Sequence, residues 1–164
     1  MIFDALLLLS GAVSPTTGAL TGQTVTGTDI SVLSTNTIDV GPLAIGQNQA
    51  ADLGSGDPLQ VAIRVMTAAA GGTSWQAQVI QADDAALTSN VQVLGQSGAI
   101  PIASLTAGTQ IVVPVPRVAP YTAKRYLGLR YVLVGAVSAG AYVAGIVEDA
   151  QSPSTTFRSG WSVT

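Results

Sequence analysis

Two pairs of adjacent carboxylates are the residues of this chain best suited to acid–base chemistry. They are Asp83-Asp84 and Glu148-Asp149. A glycosidase uses two carboxyl groups that face each other across the scissile bond, one of them with a raised pKa. Sequence neighbours on a strand point to opposite faces, so each pair supplies at most one such group. The pattern therefore predicts structural roles for both pairs, with Asp83-Asp84 in a turn or at the start of a short helix.

Two other segments resemble functional motifs only in part. Asp52-Leu-Gly-Ser-Gly-Asp57 places oxygen ligands as a calcium loop does, but it lacks the later bidentate glutamate of an EF-hand. We interpret it as a turn that leads into Pro58. Gly95-Gln-Ser97-Gly-Ala99 resembles a nucleophile elbow. Because the chain has no histidine, Ser97 has no conventional base. We therefore predict no catalytic residue and a protein that is not an enzyme.

The composition extends these exclusions to metals, cofactors and nucleic acid. The 164 residues include no His and no Cys, 48% are hydrophobic and only 9% are charged. Without imidazole or thiolate ligands, the chain has no ordinary zinc, copper or iron site, and we predict no cofactor. The net charge of −3 favours neither nucleic acid nor an anionic membrane. Depletion of charge is typical of interface cores, so we expect much of the surface to meet other protein chains.

Four of the six basic residues fall within 14 positions and alternate with tyrosines. The cations are Arg117, Lys124, Arg125 and Arg130, and the tyrosines are Tyr121, Tyr126 and Tyr131. Such interleaving can serve single-stranded nucleic acid, but phosphate binding normally needs more positive charge. Acidic protein partners or ion pairs between subunits are the preferred interpretation.

Trp75 and the glutamine-rich strands offer a different hypothesis, a glycan platform. Jelly rolls include lectins, so a carbohydrate-binding module on a phage or bacterial surface is the alternative function. Trp75 alternates with positions expected in the core, however, and burial is the preferred prediction for it.

The first 22 residues are predicted to form a helix followed by an extended segment. The apolar run from Ile2 to Leu9 is far shorter than the roughly 20 residues that span a bilayer. No basic residue precedes it, as one would in a signal peptide. We predict a docking helix of about two turns, with Asp4 near its positive end. Residues 10–22 are rich in Gly, Ser, Thr and Pro and read as an extended segment.

Residues 23–151 are predicted to form an all-β domain, a jelly-roll or Greek-key sandwich of about eight antiparallel strands. The candidate strands are about 23–33, 36–43, 58–66, 74–82, 91–96, 109–115, 125–134 and 141–149. Alternation is clear in three of them: Leu59, Val61, Ile63 and Val65 share a face, as do Trp75, Ala77 and Val79, and Leu127, Leu129, Tyr131 and Leu133. Pro114 and Pro116 predict that strand 109–115 lies at an edge or ends there. Gly135 to Gly140 predict an antiparallel hairpin between the last two strands.

Residues 152–164 are predicted to form an arm with Phe157 and Trp161 as its large apolar anchors. We expect residues 1–10 and this arm to reach onto neighbouring chains. The candidate intersubunit contacts are Ile2, Phe3, Leu6, Leu7, Arg117, Lys124, Arg125, Phe157, Arg158 and Trp161.

Several stretches, taken in order, resemble the jelly-roll cement, or decoration, proteins on the capsids of tailed bacteriophages. They are Ser34-Thr-Asn-Thr-Ile-Asp-Val-Gly41, Gly56-Asp-Pro-Leu59, Gln81-Ala-Asp-Asp84, Ser97-Gly-Ala-Ile-Pro101, Leu105-Thr-Ala-Gly-Thr109, Lys124-Arg-Tyr-Leu-Gly-Leu-Arg-Tyr131, Ala139-Gly-Ala-Tyr142 and Glu148-Asp-Ala-Gln151. Each is turn or strand chemistry, and their order and spacing over roughly residues 20–151 carry the resemblance. It implies a structural virion protein on the outer capsid surface that clamps neighbouring capsomers. The implied partners are the major capsid protein and further copies of the chain, as a homodimer or homotrimer, with no active site.

Overall fold

The computed structural model describes residues 5–44, 47–50, 59–115 and 124–147. Nearly all of this is β-structure, with two short 3-10 turns at Ala5–Leu7 and Ile102–Ser104. In chain order the strands are β1 (Leu8–Ser10), β2 (Ala12–Val13), β3 (Leu20–Thr21), β4 (Gln23–Thr24), β5 (Gly27–Thr28), β6 (Ser31–Leu33), β7 (Ile38–Asp39), β8 (Pro42–Ala44), β9 (Gln47–Ala50), β10 (Gln60–Gly71), β11 (Ser74–Ala82), β12 (Gln92–Gln96), β13 (Ile100–Pro101), β14 (Gln110–Pro114), β15 (Tyr126–Val134) and β16 (Ala136–Val147).

Eight of these strands form the two faces of a sandwich. The first sheet has the order β1-β16-β10-β14, with β4 and β5 also paired to β16. The second sheet has the order β12-β11-β15-β6, with β13 paired to β11 and β7 to β15. All the pairings are antiparallel. Numbered among themselves, the eight strands run 1-8-3-6 in one sheet and 5-4-7-2 in the other, a jelly-roll order. The predicted antiparallel sandwich is confirmed.

The strand alternation places the core where the sequence predicts it. Val61, Ile63 and Val65 of β10 are buried between the sheets, whereas Arg64 is exposed. Trp75, Ala77 and Val79 of β11 and the alternate residues Leu127 to Leu133 of β15 are buried against them. Among the described strands, β14 pairs only with β10 and ends its sheet, so Pro114 lies on an edge strand as predicted.

The predicted hairpin between the last two strands is wrong. β15 pairs with β11, β6 and β7, whereas β16 begins at Ala136 and pairs with β10 and β1 in the other sheet. The chain crosses between the sheets at Gly135. β10 and β11 cross in the same way through Gly72 and Thr73, and the Thr73 N–H donates to the Val134 carbonyl across the two corners at 2.7 Å. Each long strand is therefore paired with a strand distant in sequence, a register that local turn residues do not reveal.

The predicted short N-terminal helix is present in the described part as a single 3-10 turn, which is shorter than the two turns expected. Ala5–Leu7 form one 3-10 turn, and Leu8–Ser10 continue as β1 along the edge of β16. Leu8 and Leu9 are both buried, and the Leu9 carbonyl accepts from the Asn36 N–H at 2.9 Å. As a strand, these residues find backbone hydrogen-bond partners in β16 and at Asn36. A two-turn helix would leave most of its own backbone groups unpaired.

The segment between β1 and β10 holds shorter strands than predicted. Residues 23–33 divide into β4, β5 and β6, and residues 36–43 contain β7 and the start of β8. The tie that holds them comes from side chains: the Gln23 amide donates to the Leu33 carbonyl at 2.7 Å and accepts from the Thr35 N–H at 3.0 Å. The backbone pairing is therefore interrupted where hydrogen bonds from the Gln23 side chain replace it.

Candidate interaction surfaces

The predicted contact residues are only partly within the described ranges. Leu6, Leu7, Lys124 and Arg125 are described. Ile2, Phe3, Arg117, Phe157, Arg158 and Trp161 lie outside the described residues, as do Tyr121, the Glu148-Asp149 pair, the Asp52–Asp57 segment and the predicted arm. The contacts predicted for this second group stay predictions.

The N-terminal apolar run divides into a buried half and an exposed half. Leu6 is 86% exposed and Leu7 38% exposed, whereas Leu8 and Leu9 are buried. Within the chain, β1 packs into the sandwich, and the expected contact of residues 1–10 with a neighbouring chain stays a prediction. Of the described residues in this run, Leu6 and Leu7 offer the apolar surface to a partner.

Lys124 and Arg125 both bind carboxylates of their own chain. The Lys124 ammonium donates to Asp83 Oδ1 at 2.8 Å, and its backbone N–H donates to the Gln81 amide oxygen. Arg125 donates to both oxygens of Asp39, from Nε at 2.9 Å and from Nη2 at 2.8 Å. These contacts pin the start of β15 between the turn after β7 and the loop after β11. The intersubunit ion pairs predicted for these two cations stay a prediction, and within the chain both already have partners.

The ion pairs perturb the carboxylates in the expected direction. Hydrogen bonding from Arg125 lowers the pKa of Asp39, and hydrogen bonding from Lys124 lowers the pKa of Asp83. The same contact with Asp39 raises the pKa of the Arg125 guanidinium. All three side chains are open to water, so solvent screens these attractions strongly. The two ion pairs therefore fix the positions of the segments they join and contribute little to the free energy of unfolding.

Asp83-Asp84 form the structural turn that the sequence predicts. Asp84 accepts from the backbone N–H groups of Thr88 and Ser89 and from the Thr88 hydroxyl, and these hydrogen bonds lower its pKa. Neither carboxyl group of this pair has the raised pKa that a general acid needs. The loop they order carries Leu87 onto a small apolar cluster with Ile80 and Ala82, on the outer side of the second sheet.

Ser97 likewise has a structural role. Its hydroxyl accepts from the Ala77 N–H at 3.0 Å and donates to the Gly98 carbonyl at 2.9 Å. Both hydrogen-bonding functions are used to hold the end of β12 against β11. The serine therefore serves the strand pairing rather than a nucleophile elbow.

Trp75 is buried, as the alternation predicts, and cannot form an exposed glycan platform. It lies at the centre of an aromatic cluster that joins the sheets. Its ring centroid is 5.5 Å from that of Tyr131 on β15 and 5.1 Å from that of Tyr142 on β16. All three side chains are fully buried. The cluster is part of the hydrophobic core. Trp75, on which the glycan hypothesis rested, is therefore not accessible to a sugar.

The two buried tyrosines differ in how their hydroxyls are satisfied. Tyr131 donates to the Ser10 hydroxyl at 2.7 Å, which ties β15 to β1. The Tyr142 hydroxyl and Trp75 Nε1 have no hydrogen-bond partner among the described residues. Burial raises the pKa of both phenols, that of Tyr142 to about 12. Both therefore stay neutral at physiological pH.

This difference predicts opposite effects for one matched substitution. Tyr131→Phe leaves the buried Ser10 hydroxyl without its donor and should lower the free energy of unfolding by about 1–2 kcal/mol. Tyr142→Phe removes a buried hydroxyl that gains nothing, so we expect a change between zero and a stabilisation of about 1 kcal/mol. Urea denaturation followed by circular dichroism measures both. A loss of more than about 1 kcal/mol in the Tyr142 variant would show that its hydroxyl does have a partner.

A polar surface that the sequence analysis did not identify lies on the outer side of the second sheet. We call it the amide face and define it by Gln76, Gln78, Gln96 and Arg130. Gln78 of β11 is directly opposite both Gln96 of β12 and Arg130 of β15. Its amide nitrogen lies 3.4 Å from the side-chain oxygens of Gln76 and Gln96, and its amide oxygen accepts from Arg130 Nε at 2.8 Å. In the sequence, the alternation of Gln76 and Gln78 along one strand already indicated a shared face. That Arg130 lies on the same face follows only from the pairing register of β11 with β15.

Two further findings concern the described ranges alone. They contain no group of three or more His, Cys, Asp or Glu side chains placed to hold a metal ion. No helix within them combines the length and the apolar character needed to cross a bilayer.

Comparison with known proteins adds one result. The family model described as Bbp16 matches residues 19–146, a span that begins just before β3 and ends within β16. No curated protein matches the chain. The matched span contains six of the eight principal strands, all but the last residue of β16, and the whole amide face.

Proposed function

The chain belongs to the Bbp16 family, and we propose that it is a structural virion protein, a cement or decoration protein of a bacteriophage capsid. In this proposal the sandwich binds the outer surface of the assembled shell as a homodimer or homotrimer. It contacts the major capsid protein of neighbouring capsomers and stabilises their junctions. It has no enzymatic activity and uses no cofactor.

The observation that carries the proposal is how the reactive side chains are used. Within the described ranges, Asp39, Asp83, Lys124 and Arg125 tie the chain to itself in two ion pairs, and Ser97 holds two strands together. Only 9% of the residues in the whole chain are charged, so its surface has few ionised groups. Such a surface is suited to contact with protein, because few ionised groups must lose water when it is covered.

The resemblance to capsid cement proteins supports the same conclusion. Of its stretches within the described residues, Ser34 to Gly41 includes β7 and the connections on either side of it, and Lys124 to Tyr131 includes the first part of β15. Cementing also suits a sandwich of this kind energetically. Each added contact between capsomers lowers the free energy of the closed shell, and the symmetry of the shell multiplies a modest interface many times.

The test is to add the purified chain to assembled shells that lack it. We expect the chain to co-sediment with intact shells and to raise the temperature at which they rupture, measured by dye access to the packaged DNA. Unassembled shell protein serves as the control, because the proposed site spans neighbouring capsomers. A chain that stays in the supernatant and leaves the rupture temperature unchanged is not a cement protein. Binding of a glycan array instead would favour a carbohydrate-binding module.

A further inference from the structure

We propose that the amide face is the surface by which this protein grips the shell, with Arg130 as the anchor for a carboxylate of the shell protein. The inference rests on the proposed function and deepens it by naming the face and the chemistry of the partner group. It follows from the geometry of Arg130, from the charges around it and from the character of the surrounding sheet.

Arg130 is held in one orientation by its neighbours. Its Nε donates to the Gln78 amide oxygen at 2.8 Å, while the Gln78 amide nitrogen is directed toward the oxygens of Gln76 and Gln96. Three glutamines on two strands therefore position one guanidinium. Because Gln78 is bound through Nε, the end of the guanidinium that carries the two terminal nitrogens is not used in this contact. That end is the part of a guanidinium that binds a carboxylate with two parallel hydrogen bonds.

No carboxylate of the described residues takes up this end of Arg130. Of the four that the described ranges contain, Asp39 pairs with Arg125 and Asp83 pairs with Lys124. Asp84 binds its own loop, and Asp29 accepts from the Gly135 N–H at 2.7 Å. Arg130 therefore presents a positively charged group, fixed in place and complementary to an acidic group on another protein.

The surroundings of Arg130 are those of an interface rather than of an ordinary solvated face. Arg130 and Val132 alternate with the core along β15 and are half-buried, and Val134 beyond them is 46% exposed. Val132 lies opposite Gln76, so apolar and amide side chains share the same face of the sheet. An arginine surrounded by uncharged neighbours that exclude water is the usual composition of a binding hot spot. A partner carboxylate would meet Arg130 where solvent screening is weak.

The chain supplies a matched control on the opposite sheet. Arg64 of β10 is exposed and its side chain has no hydrogen bond or ion pair among the described residues. Arg64→Gln and Arg130→Gln make the same chemical change and remove the same charge. They differ in which face of the sandwich loses its guanidinium, and Arg130→Gln also loses the hydrogen bond to Gln78.

The experiment measures binding of the unmodified chain and of each variant to assembled shells that lack it, by co-sedimentation across a range of concentrations and at two salt concentrations. Arg130→Gln should bind at least about tenfold more weakly and with a smaller salt dependence. Arg64→Gln should bind within about twofold of the unmodified chain. Arg130→Lys should also bind more weakly. The ammonium of lysine lacks the planar set of N–H donors that lets a guanidinium bind Gln78 through Nε and a carboxylate through its terminal nitrogens. Circular dichroism and urea midpoints confirm that each variant is folded.

The outcomes separate this inference from the function on which it rests. Shell binding by the unmodified chain that is equally strong in Arg130→Gln overturns the assignment of the amide face and leaves the proposed function standing. An equal loss in both glutamine variants also overturns it, since bulk charge would then explain the effect. Failure of the unmodified chain to bind shells at all overturns the proposed function and this inference together.

Discussion

Replacing Trp75 with alanine should lower the free energy of unfolding by about 3–5 kcal/mol, the range for removal of a large buried aromatic side chain. Trp75 is fully buried, packs against Tyr131 of its own sheet with the rings tilted, and stacks on Tyr142 of the other sheet. Its removal leaves a cavity between two β-sheets whose backbones are fixed by their ladders, so the site can collapse only in part. Small domains have about 5–15 kcal/mol of stability in total, and the variant should be close to unfolding at physiological temperature.

The measurement is the urea midpoint at constant slope, with Trp75→Phe as the matched variant. Phenylalanine keeps an aromatic ring in the cluster but removes the five-membered ring of the indole, including an N–H that has no partner among the described residues. Its cost should therefore be less than half that of alanine. Equal costs for the two variants would mean that the cluster is held by something other than ring packing.

Replacing Gly71 with alanine is the second substitution with a large expected effect. Gly71 ends β10 at φ +71°, and a Cβ atom built on it would approach the Ala136 carbonyl oxygen to 2.4 Å. The left-handed conformation alone costs an L-residue about 1–2 kcal/mol. The clash with backbone adds a cost typical of overpacking, about 1–3 kcal/mol, because Ala136 starts a strand that cannot move freely.

Gly18 provides the control for this prediction. Its φ is +69°, almost the same as at Gly71, but nothing lies within 4 Å of a Cβ built there. Gly18→Ala should show the conformational cost alone and so destabilise the protein less than Gly71→Ala, as measured by thermal unfolding. If the two variants are equally destabilised, the close approach of the two corners contributes nothing to stability.

The sequence predicted the long strands well because their side chains alternate without interruption. Val61 to Val65, Trp75 to Val79 and Leu127 to Leu133 each show the two-residue period of a strand with one buried face, and each is buried as expected. β1 was missed because Leu6 to Leu9 form an unbroken apolar run, which has no period that separates helix from strand. The crossing at Gly135 was missed because strand order depends on pairing with β10, some 70 positions earlier in the chain.

The same limit applies to the interaction surfaces. The residues of the ion pairs were visible in the sequence, but their partners are far apart: Lys124 binds Asp83 and Arg125 binds Asp39, 41 and 86 positions away. The amide face depends on the register that sets Gln78 opposite Arg130 and Gln96. Residue types predicted that the chain binds rather than reacts, and only the register identifies which side chains share a face.

The copy number of this chain on purified virus particles tests the central claim most directly. Quantitative mass spectrometry of washed, intact particles measures it relative to the main shell protein. If the sandwich acts as a clamp at capsomer junctions, the two proteins should be present in comparable numbers, and partial release of this chain should be followed by rupture of the shell at lower temperature. Particles that carry none of it, or a few copies only, and that are equally heat-resistant without it would contradict the account.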